Sequence, residues 1–387
     1  MTQSAVARTQ LTDATDAGID LGKRLRESLG GREPDAVILF ASPQYDYTRL
    51  LTALHQSCEP NVLVGCSSSG EFTSQGNSDG SACAVAICSD EIEFSASMAV
   101  GLRHDSEAVA RQLAGSWQGE HRHHFRYRTA LVLTDALAGH VEEFLNQLTI
   151  ATGGGYRFVG GGAGDDARFE ETHVFCGTEA ATDAVVALEI LSNKPIGIGV
   201  AHGWRDAGPL LRVTESRATD VVSLNSTTAA DVFAEHAEAT DQHFDRSAPL
   251  PYFLHNVLGV QTTDGYKLRV PLQIQNDDSI AFAAEVPRGS TARIMCTTAV
   301  DASAAASAAC QSALDQIKGC EPAVALFFDC AATRLRLGKS FGLELQALQE
   351  TLRTDFVGCN TYGQIARAEG QFSGFHNCTA VVCVFPV

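Results

Sequence analysis

The sequence predicts an α/β protein of two domains, with mixed sheets built from repeated βαββ units and helices packed on the sheets. Three observations carry that reading. A pattern of apolar strand, amphipathic helix, Val-Gly strand with a small-residue loop and closing apolar strand is written three times. The helix between successive strands calls for parallel pairing, which needs helices on a sheet face. Finally, 45% of the 387 residues are hydrophobic, ample for buried cores.

Residues 1–30 read as a helical lead-in, because AGIDLGKRLRESL has helical spacing and Gly30-Gly31 ends it. The first domain is placed at 31–238 and opens with copy one: AVILFAS (36–42), YTRLLTALHQSC (47–58), VLVGCSSSGEF (62–72) and CAVAICS (83–89). EIEFSASMAVGL follows as a strand, then a helix near 105–118 and the charged loop GEHRHHFRYR. Copy two reads ALVLTD (130–135), VEEFLNQLTIAT (141–152), RFVGGGAGDDARF (157–169) and AVVALEIL (184–191). From Pro195 the chain reads as strands with glycine turns, followed by a helix from Thr228. The polar stretch 239–249 marks the boundary, and the second domain is placed at 239–387. YFLHNVLGV, YKLRVPLQI and SIAFAAEV form a three-strand meander, and an Ala-rich helix over 301–317 is opened by Asp301. Copy three reads AVALFFDC (323–330), LELQALQETL (343–352), DFVGCNTYGQIA (355–366) and CTAVVCVF (378–385). Copies one and three agree most closely, through Gly65 and Gly358, Cys66 and Cys359, and Gly70 and Gly363.

The balance of 28 basic against 46 acidic residues gives a net charge of −18, which opposes nucleic acid and anionic lipid as partners. No segment has the length of a membrane span or the apolar core of a signal peptide, so a cytoplasmic location is expected. The 12 cysteines lack C-x-x-C or zinc spacing and read as reduced core thiols. Cys83 with Cys88, and Cys378 with Cys383, lie five apart on apparent strands and point to opposite faces.

FVGGGAGDD lacks dinucleotide spacing, and Asp165-Asp166 would repel a pyrophosphate. TRLRLGKSF (333–341) ends like a phosphate loop, but its bulky residues would block the backbone amides, and it reads as a strand-to-helix connection. Cys66, Cys359 and Ser67 to Ser69 sit on loops, yet no signal pairs them with a histidine, so the chain is expected not to be an enzyme. A cysteine-dependent enzyme using Cys359 or Cys66 is the remote alternative. Glu71, Asp165 or Asp166, and Gln364 hold corresponding positions after the glycines; with Cys359 and Tyr362 they form a candidate ligand site. His202, His255 and His376 lie in apolar, partly aromatic settings suited to core hydrogen bonds or to iron.

VLVGCSSSGEF, FVGGGAGDD, THVF, HGWRDAGPLLRVTES, FFDCAATRLRLG, VGCNTYGQIA and FHNCTAVVCVF together resemble the FIST family of paired FIST N and FIST C domains. The likeness covers nearly everything after residue 30, with Gln364 and Arg367 departing from a Gly-Glu-Ile-Ala-Pro pattern. It implies a sensory module of bacterial signal transduction. Within the family the chain looks like the stand-alone haem proteins that sense nitric oxide and control a partner histidine kinase. On that reading haem b is held by His255 or His202, with His376 a further candidate, and a homodimer is possible. The alternative is a haem-free module for an amino acid or similar metabolite.

Overall fold

The alternating elements close into four sheets in the computed structural model, which describes residues 1–367 and 373–387. Three sheets share one plan, each built on one copy of the repeat. The first and second strands of a copy pair in parallel: Ala36–Ala41 with Val62–Ser67, Tyr127–Thr134 with Arg157–Gly162, and Pro322–Cys330 with Phe356–Thr361. The closing strand, Ala82–Ser89, Ala184–Ser192 or Ala380–Pro386, runs antiparallel beside the first. The mixed α/β sheets expected from the sequence are therefore present.

The repeat is longer than βαββ. Each copy also has an edge strand antiparallel to its closing strand: Thr2–Thr9, Ile92–Val100 and Gly197–Ala201. It has a preceding helix as well: Ala14–Ser28, Ser106–Ser116 and Ala299–Gln316. These pack on the helices inside the copies, Tyr47–Cys58, Val141–Ala151 and Phe341–Leu352. So residues 1–30 carry a strand ahead of the expected helix. The Ala-rich helix is capped by Thr298, whose hydroxyl meets the Asp301 N–H; Asp301 completes the capping box from the first turn instead of opening the helix.

The far edge of each sheet is supplied by a different copy. The hairpin of copy two, Val174–Cys176 and Glu179–Ala181, adds to the second strand of copy one. Copy three lends Gln364–Arg367 and Gly374–His376 to copy two. Copy one lends Glu71–Thr73 and Gly76–Ser78 to copy three. The exchange closes a ring, so no copy completes its own sheet. The inner faces of all three sheets share one core containing Phe40, Leu133, Val159, Cys359 and Phe328, with the Phe40 and Phe328 rings 5.7 Å apart edge to face. The helix pairs cover the outer faces through separate apolar clusters.

The fourth sheet, of nine strands, interrupts copy three between its edge strand and its helix, and has its own core around Phe233, Phe253 and Phe282. The boundary drawn at 238/239 falls at the end of helix Ala229–Ala239, and this sheet takes strands from both sides of it. The meander differs from expectation where proline intervenes. Pro249 and Pro251 start a short helix at Leu250–Phe253, so that strand begins only at Val257, and Pro271 splits YKLRVPLQI into two strands. Cys83 and Cys88 do face opposite clusters, but Cys378 lies in a turn with φ 50° before its strand.

Candidate functional site

The Val-Gly pair recurs because no side chain fits there. A Cβ on Gly65, Gly160 or Gly358 would lie 2.0 Å from the carbonyl oxygen of Leu39, Val132 or Phe327 on the neighbouring first strand. The three loops that follow meet and are stitched through their backbones. Ser69 donates to the Asn360 carbonyl at 2.9 Å, Asn360 to Gly70 at 2.8 Å, Gly164 to Ser67 at 3.0 Å and Tyr362 to Gly162 at 2.9 Å.

Of the expected ligand residues, Glu71 and Gln364 turn inward. Glu71, 1% exposed, accepts from the Ser68 hydroxyl and, at 2.9 Å, from the Ser81 hydroxyl. Gln364 does the same work in copy three, donating to Thr361 Oγ1 at 2.9 Å and accepting from the Thr379 N–H at 3.3 Å. Both tie a small-residue loop to the start of the closing strand. Burial pushes the Glu71 carboxyl up to about 7, against the serine hydroxyls that favour its anion. Cys359 is fully buried in the shared core, where desolvation raises its thiol well above the usual range. Neither it nor Cys66 reaches the cavities described next, so neither is placed to attack a bound molecule.

Asp165, Asp166 and Tyr362 do come together. Tyr362 stacks on Phe169 with centroids 4.7 Å apart and planes at 9°, and its hydroxyl donates to Asp165. Asp165 also accepts from the N–H groups of Phe169, Glu170 and Glu171 at 2.7–3.0 Å. Burial raises this carboxyl, but the hydroxyl and the three amides outweigh it and hold it below the ordinary carboxylate range. Asp166 accepts from Ser42 at 3.2 Å, and desolvation raises its carboxyl.

Two cavities flank these loops and share Ala331 and Leu335. One, of about 580 Å³, is polar, lined by Gln44, Asn77, Asp79, Asp166, Arg334 and Lys339. The other, of about 110 Å³, is apolar and lies against the inserted sheet, with Leu137, Phe169, Leu254, Leu272, Tyr362 and Cys330 among its walls. Arg334 spans from the Ser69 carbonyl to the Asp79 carboxylate. A Cβ on Gly70 would meet its guanidinium at 1.8 Å, so that glycine makes room for the arginine. Arg334, Asn377 and Cys330 were not singled out from the sequence. The signal for Arg334 lay in TRLRLGKSF, which folds as helix Ala331–Leu337 plus a further turn instead of a plain connection.

The histidines expected to hold haem do not converge on a porphyrin-sized space. His202 faces the Tyr266 carbonyl through Nε2 at 3.1 Å and accepts from the Trp204 N–H at Nδ1, beside a cavity of about 10 Å³, room for about one water. His376 is buried, pairs with Gln364 across the exchanged hairpin, and is pushed down to about 3 by burial and by Lys267 and Arg269. His255 is exposed, and its partly desolvated ring and the Arg336 charge lower it. No imidazole of the described residues lines the polar or the apolar cavity. Among the described residues, those lining the two cavities do not fit haem, because none of them carries an imidazole and the His202 ring is committed to the Tyr266 carbonyl and the Trp204 N–H. Among the described residues, no helix is long and apolar enough to cross a membrane.

The FIST N domain matches residues 35–227, and the FIST C domain matches residues 229–367. No curated relative matches the chain. Among solved structures, it is similar to a cyanuric acid hydrolase described as an evolutionary innovation by structural concatenation, with 10% identity, all of both chains covered and a TM-score of 0.36. It is also similar to the cyanuric acid hydrolase of A. caulinodans, with 8% identity, 100% of this chain and 99% of that one covered, and a TM-score of 0.32. The expectation that the chain is not an enzyme is corrected by these neighbours, both hydrolases, although at such TM-scores the likeness assigns no reaction to it.

Proposed function

The chain belongs to the FIST family, whose domains are sensory modules of signal transduction, and on that premise we propose that it is a receptor for a small zwitterionic metabolite such as an apolar amino acid. One observation carries the reading: a charged cavity and an apolar cavity lie side by side across Ala331 and Leu335. A carboxylate is matched by Arg334 and Lys339, an ammonium by Asp166 and Asp79, and an apolar side chain by the Phe169 and Leu335 wall. The cavities are bounded by loops of all three copies and by the inserted sheet, so a bound ligand bears on several elements at once. The output is a partner signalling protein, such as a histidine kinase in the cytoplasm, reading a surface biased by occupancy.

Thermal shift against a panel of amino acids and related metabolites tests this. A ligand at about a hundredfold its Kd adds about 2.7 kcal/mol to stability. Arg334→Gln is expected to weaken binding by about tenfold to a hundredfold while the unliganded protein still melts cooperatively. A panel that leaves the melting temperature and the calorimetric titration flat overturns the proposal.

A further inference from the structure

Asn377 leaves a polar atom open on the wall of the apolar cavity. Its side chain is 1% exposed, and Nδ2 donates to the His376 carbonyl at 3.3 Å, while Oδ1 is buried with no hydrogen-bond partner among the described residues. Turning the amide over gives no relief, because Oδ1 would then face a carbonyl oxygen. The other side-chain oxygens on this wall are taken. Tyr362 donates its hydroxyl to Asp165, and Thr361 donates to the Asp329 carbonyl at 3.1 Å and accepts from Gln364 at 2.9 Å. A buried acceptor without a donor is costly, and the cavity it borders is where a donor can enter.

The same wall is aromatic. Phe169 stacks on Tyr362 and is still 47% exposed, so the pair can receive another ring. Its backbone is held at φ 57°, with Asp166 and Ala167 at 57° and 60° just before it. Left-handed backbone is unfavourable for residues that carry a Cβ, above all a bulky one, and persists where the surroundings hold it. The Asp165 carboxylate ties it down by accepting the N–H groups of Phe169, Glu170 and Glu171. One fixed loop thus puts Asp166 and Ala167 on the polar cavity and Phe169 on the apolar one.

Resting on the receptor reading above, we infer that the ligand is a phenolic amino acid of the tyrosine class. Its ammonium and carboxylate stay in the charged cavity, its ring packs against Phe169 and Leu335, and its phenol O–H donates to Asn377 Oδ1. The apolar cavity, of about 110 Å³, has room for one ring, at about 10–15 Å³ for each water it could hold. An aliphatic or unsubstituted aromatic side chain would fill the same space and leave the Asn377 acceptor open. Discrimination therefore comes from a single hydroxyl.

Calorimetric titration of the full chain with L-tyrosine, L-phenylalanine and L-leucine decides it. Tyrosine is expected to bind about tenfold to a hundredfold tighter than phenylalanine, the effect of satisfying one buried acceptor. In Asn377→Leu, tyrosine should fall to the affinity of phenylalanine, whose own binding holds or tightens; an asparagine with a purely structural role would weaken both alike. Phe169→Leu should instead weaken both aromatic ligands by about twofold to tenfold and keep their ratio. Phenylalanine or leucine binding the unmutated protein as tightly as tyrosine, or another metabolite binding where tyrosine does not, overturns the phenol assignment and leaves the receptor reading in place. A preference for tyrosine that survives Asn377→Leu overturns the role of Asn377. A wide metabolite panel with no binder overturns the receptor reading itself, and this inference with it. The ratio of tyrosine to phenylalanine affinity is measured on unmutated protein, so it decides even where a variant fails to fold.

Discussion

At the residue scale, the two locks at Glu71 and Gln364 set one prediction. Both join a loop hydroxyl to the start of a closing strand, one with a carboxyl and the other with an amide. Burial raises the Glu71 pKa from 4.5 to about 7. An unfolded chain therefore releases this proton before the folded one does, and stability falls as pH rises from about 4.5 to about 7. Glu71→Gln, which copies the amide already working at Gln364, should remove that slope and stabilise the protein at pH 8 by up to about 3 kcal/mol. Urea melts at pH 5 and pH 8 measure it; a variant with the same slope as the parent refutes the assignment. Sequence equivalence brought both residues to notice, but not their direction. A polar residue after a glycine turn can face a ligand or a core, and only the depth of the neighbouring hairpin decides between them.

At the element scale, the Val-Gly strands are where sequence and structure agree most directly. The carbonyl 2.0 Å from each imagined Cβ shows that the glycine of each pair is a requirement of strand packing. Gly358→Ala should cost about 1–3 kcal/mol or more, read as a fall in the urea midpoint, since the blocking atom is backbone and cannot rotate away. A midpoint unchanged by the substitution would show that the strands can part without penalty. Of the three edge strands, Thr2–Thr9 escaped notice for a different reason: it carries few large apolar residues and so lacks the continuous apolar run that marks the central strands. Apolar neighbours in sequence describe only a local environment around His202, His255 and His376, whereas a haem site needs residues from several elements around one large void.

For the whole molecule, the ring of exchanged hairpins governs stability. Cutting the chain at residue 238 leaves the strand Arg157–Gly162 without the copy-three hairpin and leaves Glu71–Thr73 without a strand to join. Residues 1–238 expressed alone should therefore expose open sheet edges and fail to give a cooperative monomer, as checked by gel filtration and thermal melting. A well-folded monomeric fragment would show that the ring is not needed. The threefold pattern was visible in the sequence, but the exchange was not, because the hairpins are short and their partners lie in other copies, up to roughly 290 positions away along the chain.

Such a ring also constrains how the chain can have arisen. A single ancestral unit would have held its hairpin out with no strand of its own to receive it, and three separate polypeptides could satisfy one another only as a closed trimer. Within one chain the thirds need not stay identical: one of them holds a whole extra sheet between its edge strand and its helix, while in the other two those elements follow each other directly.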